Sequence, residues 1–296
     1  LAGVMAEEGI RDRDMLSAEP GGSGGSGVGG AGAGSAAAAV ASASAAAAAA
    51  VADHVTCTLE ERVSVRMTRD GACESMEVKG ALTLTAQDEA RAAFKVALER
   101  GEGAAAFQFQ THPHLNKAAF TAGGVIEAKV AGKPFPVGMP LAVLKWNRKV
   151  KDGDGSVVPL ALTCWPEAGA GGTMNVNLEY TLQDDTLALA DVVVTVPLGG
   201  DTVPKVGACS GEWKHNTREH VLTWHIDTID AATPTGALEF SVKGRSEDAF
   251  FPVTVTFTSS DLLCPLAVAS VTPVGDDKPL RYSASRSLAT ESYTVE

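Results

Sequence analysis

The chain has 296 residues, enough for one large or two small domains, and its formal net charge is −12. Nucleic-acid binding requires dense lysine and arginine, so this balance excludes nucleic acid as an expected partner and argues against general attraction to an anionic membrane. Five dispersed cysteines without a Cys-x-x-Cys pair predict free thiols in a reducing compartment.

The first 52 residues differ in composition from the rest. Residues 1–19 are charged, and residues 20–52 are almost wholly Gly, Ser and Ala. We predict a disordered, Gly/Ala-rich linker over residues 1–52, with transient helix in its alanine-rich half. The alanine run lacks Leu, Ile and Phe, so we interpret it as linker and not as a membrane span. No secretory signal is predicted, and because the chain begins with Leu1 we expect a fragment of a longer protein.

From Asp53 onward the pattern is that of β-strands. Apolar and polar residues alternate over 63–67 and over 76–84, and the turn Arg69-Asp70-Gly71 between them predicts a hairpin with one buried face. Further strands are predicted by the same period at 238–242 and 253–257, and by a β-branched run at 192–196. A second hairpin is predicted from the strands 213–215 and 221–226. Strands that recur about every ten residues with turns between them predict an all-β sandwich.

Gln87–Arg100 is the one ambiguous segment. Its Ala, Glu and Arg content favours helix, whereas alternation at Phe94, Val96 and Leu98 favours strand. We predict a strand for its second half, and no long helix elsewhere in the chain.

Three segments imitate motifs of chemical sites. Gly207–Gly211 has a Gly-x-Cys-x-Gly spacing, but a nucleophile elbow needs a following helix and Glu212–His215 has a strand pattern. His112-Pro113-His114 lacks further metal ligands, and Asp152–Gly155 lacks the Gly and Glu positions of a calcium loop. We therefore predict no catalytic residue, no metal, no cofactor and no enzymatic activity.

An ordered series of short motifs extends from Asp53 to the C-terminus. In chain order it comprises Met76–Gly80, Phe109–Pro113, Asn116–Phe120, Leu144–Trp146, Cys164–Pro166, Asn175–Tyr180, Asp191–Leu198, Gly211–His215, Gly236–Ser241 and Phe250–Val253. Together these motifs resemble the mu-homology domains of the delta-subunit family of the COPI vesicle coat. The resemblance implies an all-β, elongated, two-subdomain antiparallel β-sandwich over residues 53–296. By analogy, subdomain A comprises about 53–156 plus 236–296, and subdomain B, at about 157–235, is inserted into it.

The resemblance also implies a function. The chain is expected to be a non-enzymatic part of the heteromeric coatomer, beside the other coat subunits. It is expected to bind tryptophan-based motifs in acidic segments of tethering factors and of an Arf GTPase-activating protein. Its expected location is the cytoplasm, peripheral on Golgi membranes and COPI-coated vesicles, in Golgi-to-ER and intra-Golgi transport.

Two alternatives stay open. Related clathrin-adaptor medium chains read tyrosine sorting signals, with a carboxylate that accepts the tyrosine hydroxyl. The matching positions here are Ser64 and Pro279–Tyr282, which lack that carboxylate and a tryptophan, so the reading of tyrosine signals is not expected. The other alternative is a purely structural coat scaffold.

Two basic clusters are the candidate peptide-binding residues. The first comprises Lys145, Arg148 and Lys149, beside Lys151, and the second comprises Arg281, Tyr282 and Arg286. Basic side chains would steer the acidic flanks of a peptide. Solvated strand faces are the more ordinary interpretation of both clusters.

The four tryptophans are predicted to be core residues and not ligand contacts. They are Trp146, Trp165, Trp213 and Trp224.

Overall fold

The computed structural model describes residues 53–153, 155–276 and 278–296. The predicted linker and its alanine-rich half lie outside these residues. Within the described ranges, no helix has the length and apolar character needed to cross a membrane.

The regular structure of the described residues consists mainly of β-strands. In chain order the strands are β1 (Val55–Met67), β2 (Cys73–Ala86), β3 (Phe94–Arg100), β4 (Gln108–Thr111), β5 (Val125–Ile126), β6 (Leu141–Gly153), β7 (Leu160–Ala168), β8 (Thr173–Leu182), β9 (Leu189–Pro197), β10 (Lys205–Cys209), β11 (Glu212–Asn216), β12 (Val221–Ile229), β13 (Thr235–Lys243), β14 (Val253–Ser259), β15 (Leu266–Pro273) and β16 (Tyr282–Val295). The helical elements are α1 (Lys117–Gly123) and short 3-10 turns at Glu89–Arg91, Ala104–Ala106, Gly155–Val157, Ala170–Gly172 and Glu247–Phe250.

β1 and β2 form the predicted hairpin. Val63 pairs with Val78, and buried and exposed residues alternate along β1. The chain reverses at Arg69-Asp70-Gly71, where Gly71 has φ +88°, a left-handed conformation that glycine adopts without steric cost. The prediction of a hairpin with one buried face is confirmed.

The ambiguous segment divides as predicted. Its second half is the strand β3, and its first half contains only a single 3-10 turn. The prediction that the chain has no long helix also agrees with the described residues, where the one α-helix, α1, has 7 residues.

The strands form three sheets. A nine-stranded sheet has the order β11-β12-β9-β14-β16-β1-β2-β6-β4, a four-stranded sheet the order β10-β13-β8-β7, and a three-stranded sheet the order β15-β3-β5. Among the ladders between the named strands, only β1 with β16 is parallel. The predicted all-β, antiparallel sandwich is confirmed.

The core lies between these sheets. Tyr180 of β8 packs on Trp224 of β12 with ring centroids 5.4 Å apart, which joins the four-stranded to the nine-stranded sheet. A second link is Tyr293 of β16, whose hydroxyl donates a hydrogen bond to the carbonyl oxygen of Leu160 and accepts the Leu160 N–H at 3.3 Å. Full burial raises the pKa of the Tyr293 hydroxyl.

Tyr293→Phe is expected to lower the free energy of unfolding by about 1–3 kcal/mol, because it leaves the buried Leu160 amide and carbonyl without their partner. Urea denaturation followed by circular dichroism measures the change. Tyr282→Phe is the comparison. The Tyr282 side chain is only half-buried, so water can replace its hydroxyl as the partner of the Val268 carbonyl oxygen, and the free energy of unfolding should fall by less. Equal losses in the two variants would contradict the role given to Tyr293.

The division into subdomains stays a prediction. β13 begins at Thr235, next to the predicted boundary, and pairs along its length with β8 of the predicted insertion. The described residues belong to one compact unit.

Candidate functional site

An open cavity of about 590 Å³ lies where the ends of β3 and β15 approach β16. Its lining combines an apolar floor with charged groups, and comprises Glu99, Arg100, Gly101, Thr186, Asp261, Leu262, Cys264, Pro265, Leu266, Ala267 and Arg286. Of the six predicted site residues, only Arg286 lines this cavity.

Two arginines at the cavity have exposed side chains. Arg100 ends β3, and its guanidinium carbon lies 5.2 Å from the centroid of the Phe120 ring. Arg286 projects from β16 at the position that pairs with Leu59 of β1. Within the described part of the chain, neither arginine takes part in an ion pair. The cavity therefore offers two cations beside apolar surface, and the carboxylates Glu99 and Asp261 also line it.

The wall of the cavity is held by a buried carboxylate, Glu61, which is 2% exposed. It accepts hydrogen bonds from the Trp146 indole N–H at 2.6 Å and from the backbone N–H groups of Leu263 and Cys264 at 2.6 and 3.0 Å. Burial raises the pKa of this carboxyl, and the three hydrogen bonds oppose that shift. Sequence reasoning missed Glu61, although the period of β1 puts it on the same face as Leu59 and Val63.

Trp146 reaches Glu61 because Gly80 leaves room for its ring. A Cβ atom at Gly80 would lie 2.1 Å from Cε2 of Trp146. Since Gly80 pairs with both Glu61 and Trp146 in adjacent ladders, the indole lies across the backbone of β2.

Helix α1 places Phe120 below Arg100. The helix begins after Asn116, whose side-chain oxygen accepts the Ala119 N–H at 3.3 Å, and it ends at Gly124 with φ +69°. Phe120 is its buried residue and meets the ring of Phe109 edge-on at 5.7 Å. Phe109 in turn lies 6.4 Å from the ring of Trp146.

The structure divides the first basic cluster between two faces of β6. Lys145 and Lys149 share one face, whereas Arg148 lies on the other, with its guanidinium 5.8 Å from the Phe107 ring. Lys149 is paired with Glu77, its nitrogen 3.2 Å from the carboxylate oxygen. The three residues therefore form no single patch.

The second cluster is also divided. Arg281 lies 4.0 Å from Asp53, and the Tyr282 hydroxyl lies 3.3 Å from the carbonyl oxygens of Val268 and Ala269. Only Arg286 reaches the cavity.

The position matched to the tyrosine-signal acceptor has a carboxylate nearby after all. Ser64 donates a hydrogen bond to Glu291 of β16 at 3.0 Å, and the Lys79 nitrogen lies 3.9 Å from the same carboxylate. Sequence comparison at Ser64 missed it because the two residues are 227 positions apart.

The tryptophan prediction is half correct. Trp146 and Trp224 are buried, but Trp165 is 49% exposed and Trp213 is 41% exposed, so their assignment to the core was wrong. Trp165 follows the buried Cys164 on β7 and therefore points to the outer face of the four-stranded sheet, where it lines a second cavity of about 540 Å³. Trp213 lies on β11, the edge strand of the nine-stranded sheet, which has a neighbouring strand on one side only.

The segments that imitate chemical motifs have ordinary structures. Gly207–Gly211 joins β10 directly to β11, with no helix after it, and burial raises the pKa of the Cys209 thiol. The rings of His112 and His114 lie 5.3 Å apart. Over the described residues, no group of three or more His, Cys, Asp or Glu side chains is placed to hold a metal ion.

These features define an adaptor-type β-sandwich with an open cavity and no catalytic constellation among the described residues. The family model of the adaptor complexes medium subunit family matches residues 42–296, and the chain belongs to this family. Because domains of this type are structural and adaptor modules, the prediction of a non-enzymatic protein is confirmed.

Individual relatives point to one branch. The chain is 35% identical over 236 residues to the probable coatomer subunit delta of Caenorhabditis elegans, covering 80% of this chain and 45% of the relative. It is 33% identical over 246 residues to coatomer subunit delta-1 of Oryza sativa subsp. japonica, covering 82% of this chain and 46% of the relative. The chain thus spans less than half the length of these two relatives.

Among solved structures, the chain is similar to the yeast delta-COP-I mu-homology domain. The TM-score is 0.70 at 28% identity, and the match covers 82% of this chain and 98% of the other. The same domain complexed with a Dsl1 WxWxV peptide matches equally well. The predicted resemblance to delta-subunit mu-homology domains is confirmed. The Fcho1 mu homology domain of Danio rerio, at 17% identity and a TM-score of 0.60, shares the fold.

Proposed function

We propose that this chain is the mu-homology module of a COPI coat delta subunit and that it binds tryptophan-based motifs within acidic peptides. The observation that carries the proposal is the likeness to the yeast domain complexed with a Dsl1 WxWxV peptide, at 28% identity and a TM-score of 0.70. The match covers 82% of this chain and 98% of the yeast domain.

The cavity beside Arg100 and Arg286 suits such a peptide. Its volume of about 590 Å³ is in the range of small-ligand sites, and its floor of Leu262, Pro265 and Leu266 offers apolar contact to an indole. The two arginines, free of ion pairs within the described chain, would attract acidic flanking residues. Arg286 is thus the predicted residue that we retain as a contact, and Arg100 is added to it.

The other predicted contacts remain predictions. Neither of the two cavities described above is lined by Lys145, Arg148, Lys149, Arg281 or Tyr282. The pairing of Lys149 with Glu77 and of Arg281 with Asp53 favours solvated strand faces for these two residues.

The proposal is tested by calorimetric titration of the whole chain with an acidic peptide that carries Trp-x-Trp. We expect micromolar affinity, lost when both peptide tryptophans are alanine. The double variant Arg100→Glu/Arg286→Glu should weaken binding at least about tenfold, because it reverses both charges at the cavity. Arg218→Glu, on the exposed turn between β11 and β12, is the matched control and should bind as the unmodified chain does.

Two outcomes would contradict this site or this function. Unchanged binding in the double variant, with loss in Lys149→Glu, would move the peptide to the face of β6. No binding by the folded chain would favour a purely structural role in the coat.

The second candidate function is the reading of tyrosine signals, and the Glu291 carboxylate beside Ser64 is the observation in its favour. A tyrosine-signal peptide titrated in parallel discriminates between the two. Binding that is lost in Glu291→Gln and kept in Arg100→Glu/Arg286→Glu would support the adaptor-type alternative.

The proposed cellular role follows from the delta-subunit relatives. The module would work in the cytoplasm, peripheral on Golgi membranes and COPI-coated vesicles, beside the other coat subunits. There it would engage tethering factors and an Arf GTPase-activating protein during Golgi-to-ER and intra-Golgi transport. Cells whose delta subunit carries Arg100→Glu/Arg286→Glu should fail to return ER-retrieved cargo, whereas the Arg218→Glu control should return it.

A further inference from the structure

Two chains of contacts leave the cavity and meet at Trp146. One begins at Arg100, continues through Phe120 and Phe109, and reaches the Trp146 ring, with separations of 5.2, 5.7 and 6.4 Å. We call Phe120, Phe109 and Trp146 the aromatic row.

The second chain is made of hydrogen bonds. The Trp146 indole donates to Glu61, and Glu61 accepts the N–H groups of Leu263 and Cys264 on the opposite wall of the cavity. We call Glu61 with these three donors the Glu61 latch. The same wall is joined to the end of β3 by the Gly101 N–H, which donates to the Pro265 carbonyl at 2.8 Å. Arg100 and the 262–265 wall are therefore held from both sides by one connected set of contacts.

A carboxyl group that binds two consecutive backbone N–H groups fixes the position of a loop more strictly than apolar packing does, because hydrogen bonds are directional. A loop with few regular backbone pairs would otherwise move among several conformations. Leu262 and Cys264 of this wall line the cavity together with Arg100 and Arg286, so a displacement of the wall would change the shape of the cavity.

We propose that Glu61 is a positioning residue for the peptide site: the latch holds the 262–264 wall in the conformation that receives the peptide, and the aromatic row links that wall to Arg100. This inference rests on the proposed function and deepens it. Glu61 does not line the cavity, so it would act on the peptide only through the wall. A residue with a purely structural role would stabilise the fold without responding to the peptide.

The decisive readout is the indole N–H resonance of Trp146 in the ¹⁵N-labelled chain, titrated with the unlabelled acidic Trp-x-Trp peptide. Trp146 is 2% exposed and does not line the cavity, so a peptide in the cavity does not touch it, and a shift of its signal reports a displacement transmitted through its neighbours. Trp224 is the matched internal control: it is equally buried and donates to the Ser210 carbonyl at 2.6 Å, and it lies on β12, six strands from β6 in the nine-stranded sheet. We expect the Trp146 signal to shift and the Trp224 signal to stay.

Glu61→Gln supplies the second test, with Glu60→Gln as its control on the exposed face of the same strand. Glutamine keeps the shape of the glutamate side chain but places an N–H₂ group where a carboxyl oxygen accepted hydrogen bonds. Amide hydrogen exchange at Leu263 and Cys264 should therefore accelerate. Peptide affinity should fall about tenfold in the folded protein. If Glu61→Gln does not fold, the titration of the unmodified chain still decides.

The two levels of the proposal fail differently. Peptide-dependent shifts around Arg286 with a stationary Trp146 signal would overturn the latch and leave the peptide site standing. Absence of every peptide-dependent shift would overturn the peptide site and the latch together.

Discussion

Replacing Glu61 by alanine is expected to lower the free energy of unfolding by about 4 kcal/mol. The substitution leaves three donors without an acceptor in a buried place: the Trp146 indole N–H and the backbone N–H groups of Leu263 and Cys264. An unsatisfied buried donor costs about 1–3 kcal/mol, and water entering through the cavity would relieve part of the sum. Urea denaturation of the whole chain measures the loss.

Glu60→Ala is the control for this prediction, because its side chain is exposed on the opposite face of β1, and we expect a change within about 0.5 kcal/mol. The pH dependence provides a further check. Burial raises the pKa of the Glu61 carboxyl above its unfolded value, so its stabilising contribution is complete below about pH 4 and declines as pH rises through the folded-state pKa. The difference between the unmodified chain and Glu61→Ala should therefore be largest in acid. A difference that grows with rising pH would contradict this account.

Gly80→Ala is expected to destabilise the protein by about 2–3 kcal/mol, although it adds one methyl group. That methyl would lie 2.1 Å from Cε2 and 2.3 Å from Nε1 of Trp146, well inside van der Waals contact. The indole is 2% exposed and its N–H is bound to Glu61, so the ring cannot shift without breaking the latch. Thermal denaturation measures the loss.

The control for Gly80→Ala is Gly207→Ala, where the new methyl group would be 3.8 Å from its nearest neighbour, at ordinary contact distance. We expect this control to change stability by less than about 0.5 kcal/mol. The double variant Gly80→Ala/Trp146→Phe should lose less than the sum of its single variants, because the smaller ring makes room for the methyl group. Additive losses would show that the clash with Trp146 is not the cause.

The strands of this protein are readable from local sequence. Alternation at Val63 and Val65 puts both side chains on one face of β1, and the turn at Gly71 fixes the partner strand. The second half of Gln87–Arg100 is a strand for the same reason: its alternating apolar residues meet a core, and this outweighs the helix propensity of its alanines and glutamates. The order of motifs along the chain was sufficient for the family, which the comparisons confirm.

Period two does not say which of the two faces of a strand will be covered. Trp165 is large and apolar, yet it points away from the core. Trp213 shares a face with the buried Trp224 but lies on the edge strand β11, so no further strand shields it. The same limit separates Arg148 from Lys145 and Lys149, which are neighbours in sequence and lie on opposite faces of β6. A cluster of like charges along a strand is thus divided by the pleat.

The sequence by itself determined the β-class, the hairpins, the absence of long helices over the described residues and the family. Only the tertiary structure decided the cavity, because its parts come from distant segments: Arg100 and Arg286 from β3 and β16, and the Glu61 bonds to Leu263 and Cys264 from residues 202 and 203 positions away. Local periodicity indicates which residues of a strand are buried and which are exposed. The donors to a buried carboxyl group are set by the packing of segments that are distant in sequence. No pattern within a short stretch of chain carries that information.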